Sequence, residues 1–367
     1  MVDNNIYKLK KYNAIDLFCG AGGLSFGFQN AGFNIILGID NNDDALHTFE
    51  RNHICSIGVN ADLSKKDTLD LITKLSCNKK IDVIIAGPPC QGFSVTGPRN
   101  FDDPRNKLYL AVIDAVKQFM PKGFVIENVP GMANMYGGQI KDEVLKRFDE
   151  IGYNIECKIL KACDYGVPQM RRRLIFMGVH KDIGTPYFPQ PLFGQNTKQS
   201  YRTCKDAISD LPTLEKDMGS EESAYSDDAK TDYQKLMRNN STILYNHVAT
   251  QHKKFVVDTI SLVPDGGNYK DLPIGVGESR KFHMAWTRLN SKAPARTVDT
   301  GHRNLFHYKL NRVPTVRESA RIQSFPDNFV FTGSRTSQER QVGNAVPPLL
   351  GQALGETLLE IISKKEN

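Results

Sequence analysis

The chain has 367 residues, 40% of them hydrophobic and 24% charged, and 47 Lys and Arg against 41 Asp and Glu give a formal net charge of +6. That length allows one large domain plus a smaller one. The seven cysteines lack the paired spacing of a disulfide framework or a zinc cluster, no run approaches the about 20 apolar residues that span a bilayer, and residues 1–11 hold no apolar leader; a cytoplasmic protein without membrane association or metal is expected.

Between residues 14 and 179 short apolar runs alternate with amphipathic segments, the pattern of βαβ units. Strands are predicted at 14–18, 35–39, 81–86, 124–126 and 174–179, and their near-continuous hydrophobicity calls for cover on both faces. Leu108, Ala111, Val112, Ala115, Val116 and Phe119 form one helical stripe ended by Pro121, and Val144, Leu145, Phe148 and Ile151 form another closed by Gly152. Such helices over a mostly parallel sheet give an α/β, doubly wound domain with right-handed crossovers.

The pattern breaks in 186–311. Pro186, Pro189, Pro191 and Pro264 punctuate that stretch, acidic residues mark 215–228, and aromatic and basic residues cluster in 280–303. Loop-rich surfaces are where recognition is usually placed. The expected organisation is residues 1–185 as the first domain, 186–311 as a smaller loop-rich domain and 312–335 as a junction with a helix in 315–325. Residues 336–367 then return to the first domain, ending in a helix from Pro348 to about Ile362.

Asp16 lies within the first strand candidate, and Cys19, Gly20, Ala21, Gly22, Gly23 and Leu24 lead from its end at Phe18 into a helical pattern. The glycines permit a sharp turn and close approach to a ligand, and the helix start offers free N–H groups, although a purely structural turn reads the same way. A dinucleotide fingerprint spaces its glycines differently, and Asp16 suits an ammonium group better than a pyrophosphate. Asp40, after the second strand, is placed to bind ribose hydroxyls or to cap the next helix. Gly87-Pro88-Pro89-Cys90-Gln91-Gly92-Phe93-Ser94 follows the third predicted strand, so Cys90 is a nucleophile candidate; a lone buried cysteine is otherwise an inert small hydrophobe.

Further along stand Glu127-Asn128-Val129-Pro130-Gly131, Gln169-x-Arg171-x-Arg173, Arg317-Glu318-x-Ala320-Arg321-Ile322-Gln323-Ser324-Phe325-Pro326 and Gln341-Val342-Gly343-Asn344-Ala345-Val346-Pro347. In these blocks and their order the chain resembles the S-adenosylmethionine-dependent DNA cytosine-5 methyltransferases of prokaryotic restriction-modification systems, over nearly its whole length apart from the middle. The resemblance implies a class I, Rossmann-like methyltransferase fold with a target-recognition domain. It implies a cofactor site of Asp16, Phe18, Gly20, Gly22, Gly23, Leu24, Asp40, Asn41, Asp62, Leu63, Pro88, Leu108, Asn344 and Ala345, with Phe18 on the adenine, Asp40 on the ribose and Asn344 with Ala345 at the methionine end. Asp40-Asn41 stands where the family usually has glutamate and tryptophan. The implied catalytic set is Cys90, Glu127, Arg171 and Arg173, with Glu127 gripping the cytosine N3 and amino edge and Arg173 touching the base. Arg172 is expected to point elsewhere, and Arg317 and Arg321 to bind carboxylates as supports.

The chemistry explains these residue types. Cytosine C5 does not attack a methyl sulfonium unaided, but thiolate addition at C6 turns the ring into an enamine-like species that does, and cysteine is a few per cent thiolate near pH 7. Charge builds at N3 as sulfur adds, so an acid held there stabilises the transition state. A stacked base cannot present C6, so the cytosine has to leave the duplex, at a cost of a few kcal/mol. Gln91, Ser94 and Arg99, in a segment expected to close over the base, and Lys281, Arg288, Arg296, Thr297 and Arg303 are candidates for DNA contact. Thr297-Val298 resembles the Thr-aliphatic pair of the family's recognition regions. The expected partners are double-stranded DNA and, as a separate protein, a cognate restriction endonuclease; the enzyme is expected to be a monomer that releases S-adenosylhomocysteine. The alternatives are a transfer-RNA cytosine-5 methyltransferase, against which the long middle region argues, and a catalytically silent DNA-binding relative, against which Cys90, Glu127 and Arg173 argue.

Overall fold

The computed structural model describes residues 12–65, 67–77, 79–89, 107–239, 241–278 and 285–364. Cys90, Gln91, Ser94, Arg99 and Lys281 lie outside the described residues. The chain forms two compact units, residues 1–161, 172–190 and 348–367 in the first and 162–171 and 191–347 in the second.

The first unit runs β1 (Asn13–Leu17), α1 (Gly23–Ala31), β2 (Asn34–Asp40), α2 (Asp43–Asn52), β3 (Ile57–Asn60), α3 (Asp67–Leu75), β4 (Val83–Ala86), α4 (Lys107–Phe119), β5 (Gly123–Asn128), α5 (Gln139–Glu150), β6 (Tyr153–Lys161) and β7 (Arg172–His180). Its seven-stranded sheet has the order β3-β2-β1-β4-β5-β7-β6. The first five strands are parallel, and β7 is antiparallel to both neighbours. This is the class I S-adenosylmethionine-dependent methyltransferase fold. All five predicted strands are present, because Ile15, Leu17, Leu37, Ile84, Phe124 and Phe176 need cover on both faces and are buried. The two edge strands, β3 and β6, are additions to the expected set. β3 buries only Val59, and in β6 the half-buried Ile155, Cys157 and Ile159 alternate with Glu156 and Lys158, so neither forms an apolar run.

The C-terminal helix, Pro348–Ser363, lies against α1. Gly27 makes this approach possible: a Cβ there would collide with the Pro348 carbonyl and the Gln352 amide. The chain thus re-enters the first unit at Pro348 and not at 336, and 312–335 is part of the second unit and not a separate junction. The reason is the helix Arg335–Asn344, which packs on the helix Val316–Ile322.

The second unit holds short elements: the antiparallel pair Gly219–Ser223 and Leu244–Val248, the two-residue parallel pair Thr287–Arg288 and Leu305–Phe306, and several short helices. Short helices gain little from propagation and lean on their ends. Capping boxes start four of them, from Thr203 to Asp206, Thr231 to Gln234, Asn268 to Asp271 and Thr315 to Glu318. Arg321 is fully buried between Asp210 and Asp327, at 2.6 Å from each, and Arg317 beside it donates to the Pro326 and Phe329 carbonyls. Arg321 is the carboxylate-bound support the sequence suggested, whereas Arg317 is held chiefly by carbonyls, with Asp327 at 3.9 Å. Among the described residues no helix is long and apolar enough to cross a membrane.

Candidate active site

The parallel strands run in register, Leu17 beside Ile39 and Ala86, Asp40 beside Asn60, and Ala86 beside Ile126. The residues that follow each strand therefore collect on one rim of the sheet, centred where the strand order reverses between β1 and β4. Phe18 to Leu24, Asp40 and Asn41, Asp62 and Leu63, Gly87 to Pro89, and Glu127 all arrive there. β7 runs the other way, pairing Leu174 with Asn128, so its beginning comes to the same rim and delivers Arg173.

The turn after β1 is built from left-handed backbone at Phe18 (φ 60°), Gly20 (φ 53°) and Gly22 (φ 86°). At Gly22 a side chain would also run into the rings of His53 and Phe49. For the half-buried Phe18 this conformation is costly, and such strain is typical of a residue aimed at a ligand. No side chain caps α1 at Gly22, which leaves its start suited to a polar ligand.

Asp40 holds this turn in place. One carboxylate oxygen accepts the Gly20 N–H at 2.8 Å and the other accepts those of Asn41 and Asn42 at 2.8 and 3.0 Å. A carboxylate has about four acceptor positions, so one remains for a ribose hydroxyl. Asn42, not Asp40, caps α2. Asn41 is exposed, and Asp62 accepts the Ser64 N–H at 2.9 Å and organises the turn toward α3. Leu63 is buried in the core beneath the rim, and Pro88 is buried while Leu108 is half-buried.

Asp16 is buried, and its Oδ2 has no hydrogen-bond partner. Burial pushes its carboxyl up to about 8, with Ser25 opposing and the charge of Asp40 adding to the shift. Burial likewise pushes the Cys19 thiol up, with Asp16 and Asp40 adding, which makes Cys19 inert.

The other half of the rim belongs to Glu127. Arg173 donates from Nε to Glu127 Oε1 at 2.5 Å, both side chains largely buried at 14% and 12% exposure. Oε2 of the same carboxylate would lie 3.7 Å from a Cβ on Gly87. Asn128, which the sequence reading did not assign, is buried and donates from Nδ2 to the Pro88 carbonyl at 3.3 Å. It ties the Glu127 strand to the segment that leads directly into Cys90. Arg172 is exposed.

Arg171 belongs to the second unit, is 1% exposed, and donates from Nη2 to the Asn344 carbonyl at 3.2 Å. Asn344 is exposed and Ala345 half-buried in that same unit.

Arg288 requires a correction. Its guanidinium is buried and donates to the carbonyls of Val263, His307, Leu310 and Ile260 and to Asn311, so no donor faces DNA. Arg296 and Thr297 are exposed on the segment that Gln169 anchors through the Val298 N–H at 3.2 Å. Arg303 sits at a left-handed backbone position and pairs loosely with Glu339 at 3.4 Å.

A family model described as C-5 cytosine-specific DNA methylase matches residues 12–360. The chain belongs to that family. It is 38% identical to the type II methyltransferase M1.HphI of Haemophilus parahaemolyticus over 95% of this chain and 86% of that one. It is 39% identical to the type II methyltransferase M.DdeI of Desulfomicrobium norvegicum over 94% and 88%. Among solved structures, a prophage-encoded DNA modification methyltransferase of E. coli superposes with a TM-score of 0.79 at 29% identity, covering 96% of this chain and all of that one. The Dnmt2 methyltransferase of S. pombe shares the fold, with a TM-score of 0.61 at 16% identity over 97% of this chain and all of that one. The protein is thus a DNA cytosine-5 methyltransferase, and the methyl donor of this family and fold is S-adenosylmethionine. The rim fits that donor: the unpartnered oxygen of Asp16 suits its ammonium, and the remaining acceptor position of Asp40 suits a ribose hydroxyl.

Proposed function

We propose that this enzyme methylates C5 of a cytosine everted from a specific double-stranded DNA sequence, through a transient bond between Cys90 and C6. The reading is supported above all by the Glu127–Arg173 pair at the carboxyl ends of the strands, beside the Gly87-Pro88-Pro89 segment that precedes Cys90. S-adenosylmethionine, when bound, supplies an electrophilic methyl group on a sulfonium.

The Cys90 thiolate forms a bond to C6, and the displaced ring electrons build charge toward N3. Glu127, with Oε1 fixed by Arg173, offers its second oxygen to the N3 and amino edge, where it holds a proton in the transition state. Arg173, through its terminal nitrogens, meets the base. After C5 carries the methyl group, water takes the C5 proton, the C–H electron pair forms the C5–C6 double bond, and the C6–S bond breaks to return the Cys90 thiolate.

Asp16, Phe18, Gly20, Asp40 and Asp62 bind the donor. Base reading falls to the second unit, with Arg296, Thr297 and Arg303 as the described candidates and Arg288 removed from them. A separate restriction endonuclease accompanies the enzyme, in line with the type II relatives.

Expression in a methylation-free host followed by sequencing for 5-methylcytosine tests both the chemistry and the target. Methylation at one recurring sequence is expected; its absence overturns the reading. Duplex containing 5-fluorocytosine at that site should become attached to the wild-type protein and not to Cys90→Ser.

A further inference from the structure

β6 stands last in the order of the seven-stranded sheet and pairs antiparallel with β7 along its length, without a shift of register. In such a pair the residues alternate: one turns its N–H and C=O to the neighbour, and the next turns them away. Both ends of the ladder set the phase. The Gly152 carbonyl accepts the Lys181 N–H at 2.9 Å, and the Ala162 N–H donates to the Arg171 carbonyl at 2.8 Å. Asn154, Glu156, Lys158 and Leu160, in step with these two, face β7, so the backbone groups of Ile155, Cys157 and Ile159 point out of the sheet. Among the described residues nothing hydrogen-bonds those groups.

A row of unpaired backbone groups is a template for another strand, and charged side chains on an open edge ordinarily keep copies of a protein apart. On β6 the exposed charges are Glu156 and Lys158, of opposite sign and two residues apart, while Ile155, Cys157 and Ile159 are half-buried against the core. Whether such a pair of charges repels or attracts a second copy depends on the register.

The backbone restricts that register. Outward groups belong to residues 155, 157 and 159, so in an antiparallel pair of two β6 strands these residues have to bond one another, and the two-fold axis passes beside a single residue. Centred on 156 the pairing sets glutamate against glutamate, and centred on 158 it sets lysine against lysine. Centred on Cys157 it sets Glu156 opposite the partner's Lys158, and by symmetry Lys158 opposite the partner's Glu156. These are non-hydrogen-bonded positions, where facing side chains come closest. Ile155 then lies opposite the partner's Ile159, and the axis passes beside Cys157. The central register therefore satisfies the backbone, the charges and the apolar side chains together.

We infer that the edge of β6 is an interface for a second copy of this chain, joined strand to strand about Cys157 so that the two sheets run on as one. The alternation of charge along β6 replaces the monomer expected from sequence with a two-fold symmetric dimer. Each outward pair exchanges two backbone hydrogen bonds, and the half-buried isoleucines lose their remaining exposure to water. Pairing of one strand buries less surface than a standard stable interface, so the dimer is reversible, with a dissociation constant of about 1–100 µM.

The test is sedimentation equilibrium of the full-length protein, free of DNA, over that concentration range. Wild type is expected to pass from monomer to dimer. Glu156→Lys alone, or Lys158→Glu alone, sets like charges opposite each other in both symmetric pairs and should weaken dimerisation at least about tenfold. The two changes together, Glu156→Lys with Lys158→Glu, exchange the charges and restore the attraction, so the doubly changed protein should dimerise within about threefold of wild type. Both side chains are exposed, so the substitutions leave the interior untouched. A wild type that stays monomeric up to about 100 µM overturns the inference. Single variants that dimerise like wild type overturn it as well, because the contact then lies elsewhere. So does a double variant that recovers nothing of what the single variants lose, because the two residues then do not face each other across the axis.

Discussion

Arg173 and Glu127 form a pair whose geometry fixes one carboxylate oxygen and leaves the other for work: Nε lies 2.5 Å from Oε1, while Oε2 faces Gly87. Glu127→Gln keeps the shape but cannot hold a proton at N3. Its kcat should fall by about 10²–10³ with little change in affinity for S-adenosylhomocysteine, read in single-turnover methylation. Arg173→Lys should not restore what Arg173→Ala loses, because a point charge lacks the planar fork that orients the carboxylate. Near wild-type turnover in Glu127→Gln would remove Glu127 from the chemistry.

The residues that make this pair were legible in sequence because each sits at the end of an apolar strand, and the sheet does the rest by bringing strand ends to one rim. The hydrogen-bond partners of Arg171 and Arg288 were not legible. Arg171 is only two positions from Arg173, yet one is buried against Asn344 and the other meets Glu127. Arg288 looked like any cation in a basic stretch, but the carbonyls that bury it come from Ile260, Val263, His307 and Leu310, and no local pattern announces partners so distant. β6 could have been found: Ile155, Cys157 and Ile159 alternate at the period of a half-covered edge strand.

Asp16 gives donor binding a pH dependence of known sign. In the free enzyme its carboxyl titrates at about 8, raised chiefly by burial, so below that pH it is protonated. Pairing with an ammonium requires the carboxylate, so binding releases a proton, and affinity for S-adenosylhomocysteine should rise by up to about tenfold per unit from pH 6 to 8 and then level off. Asp16→Asn should flatten the profile. Calorimetry in buffers of different ionisation enthalpy reads the proton directly; release of no proton at pH 7 would mean that Asp16 does not meet the ammonium.

The second unit should be acid-sensitive through His307. Its Nδ1 accepts the N–H groups of Lys309 and Leu310, both at 3.0 Å, so the ring has to stay neutral there. Burial chiefly lowers its titration from 6.5 to about 4. Between those values the unfolded chain binds a proton that the folded chain does not. Stability from this group is therefore full above pH 6.5 and lost as pH falls to 4, about 3 kcal/mol over the window. Glu318, held well below the usual carboxylate range by Arg312 against the cost of burial, acts in the same direction below its ordinary 4.5. His307→Asn, whose Oδ1 can take the place of Nδ1, should flatten the upper window in urea unfolding at a series of pH values. An unchanged slope in that variant would count against the assignment.

Arg288 and Arg296 should separate stability from DNA binding. Arg288→Lys cannot reach the carbonyls that the guanidinium spans, so several buried acceptors lose their donor and the fold should lose at least about 2 kcal/mol. That loss would appear as a lower denaturation midpoint before any effect on DNA is resolved. Arg296 is exposed, and Arg296→Ala should leave the midpoint in place. If its side chain meets a phosphate, duplex affinity falls for all sequences alike and the slope of log affinity against log salt decreases by about 1. If it meets a base edge, the salt slope holds while methylation spreads to sites differing at one position. An Arg296→Ala protein unchanged in both salt slope and site choice would take this residue off the DNA face, and an Arg288→Lys protein of native stability would contradict the buried role of Arg288.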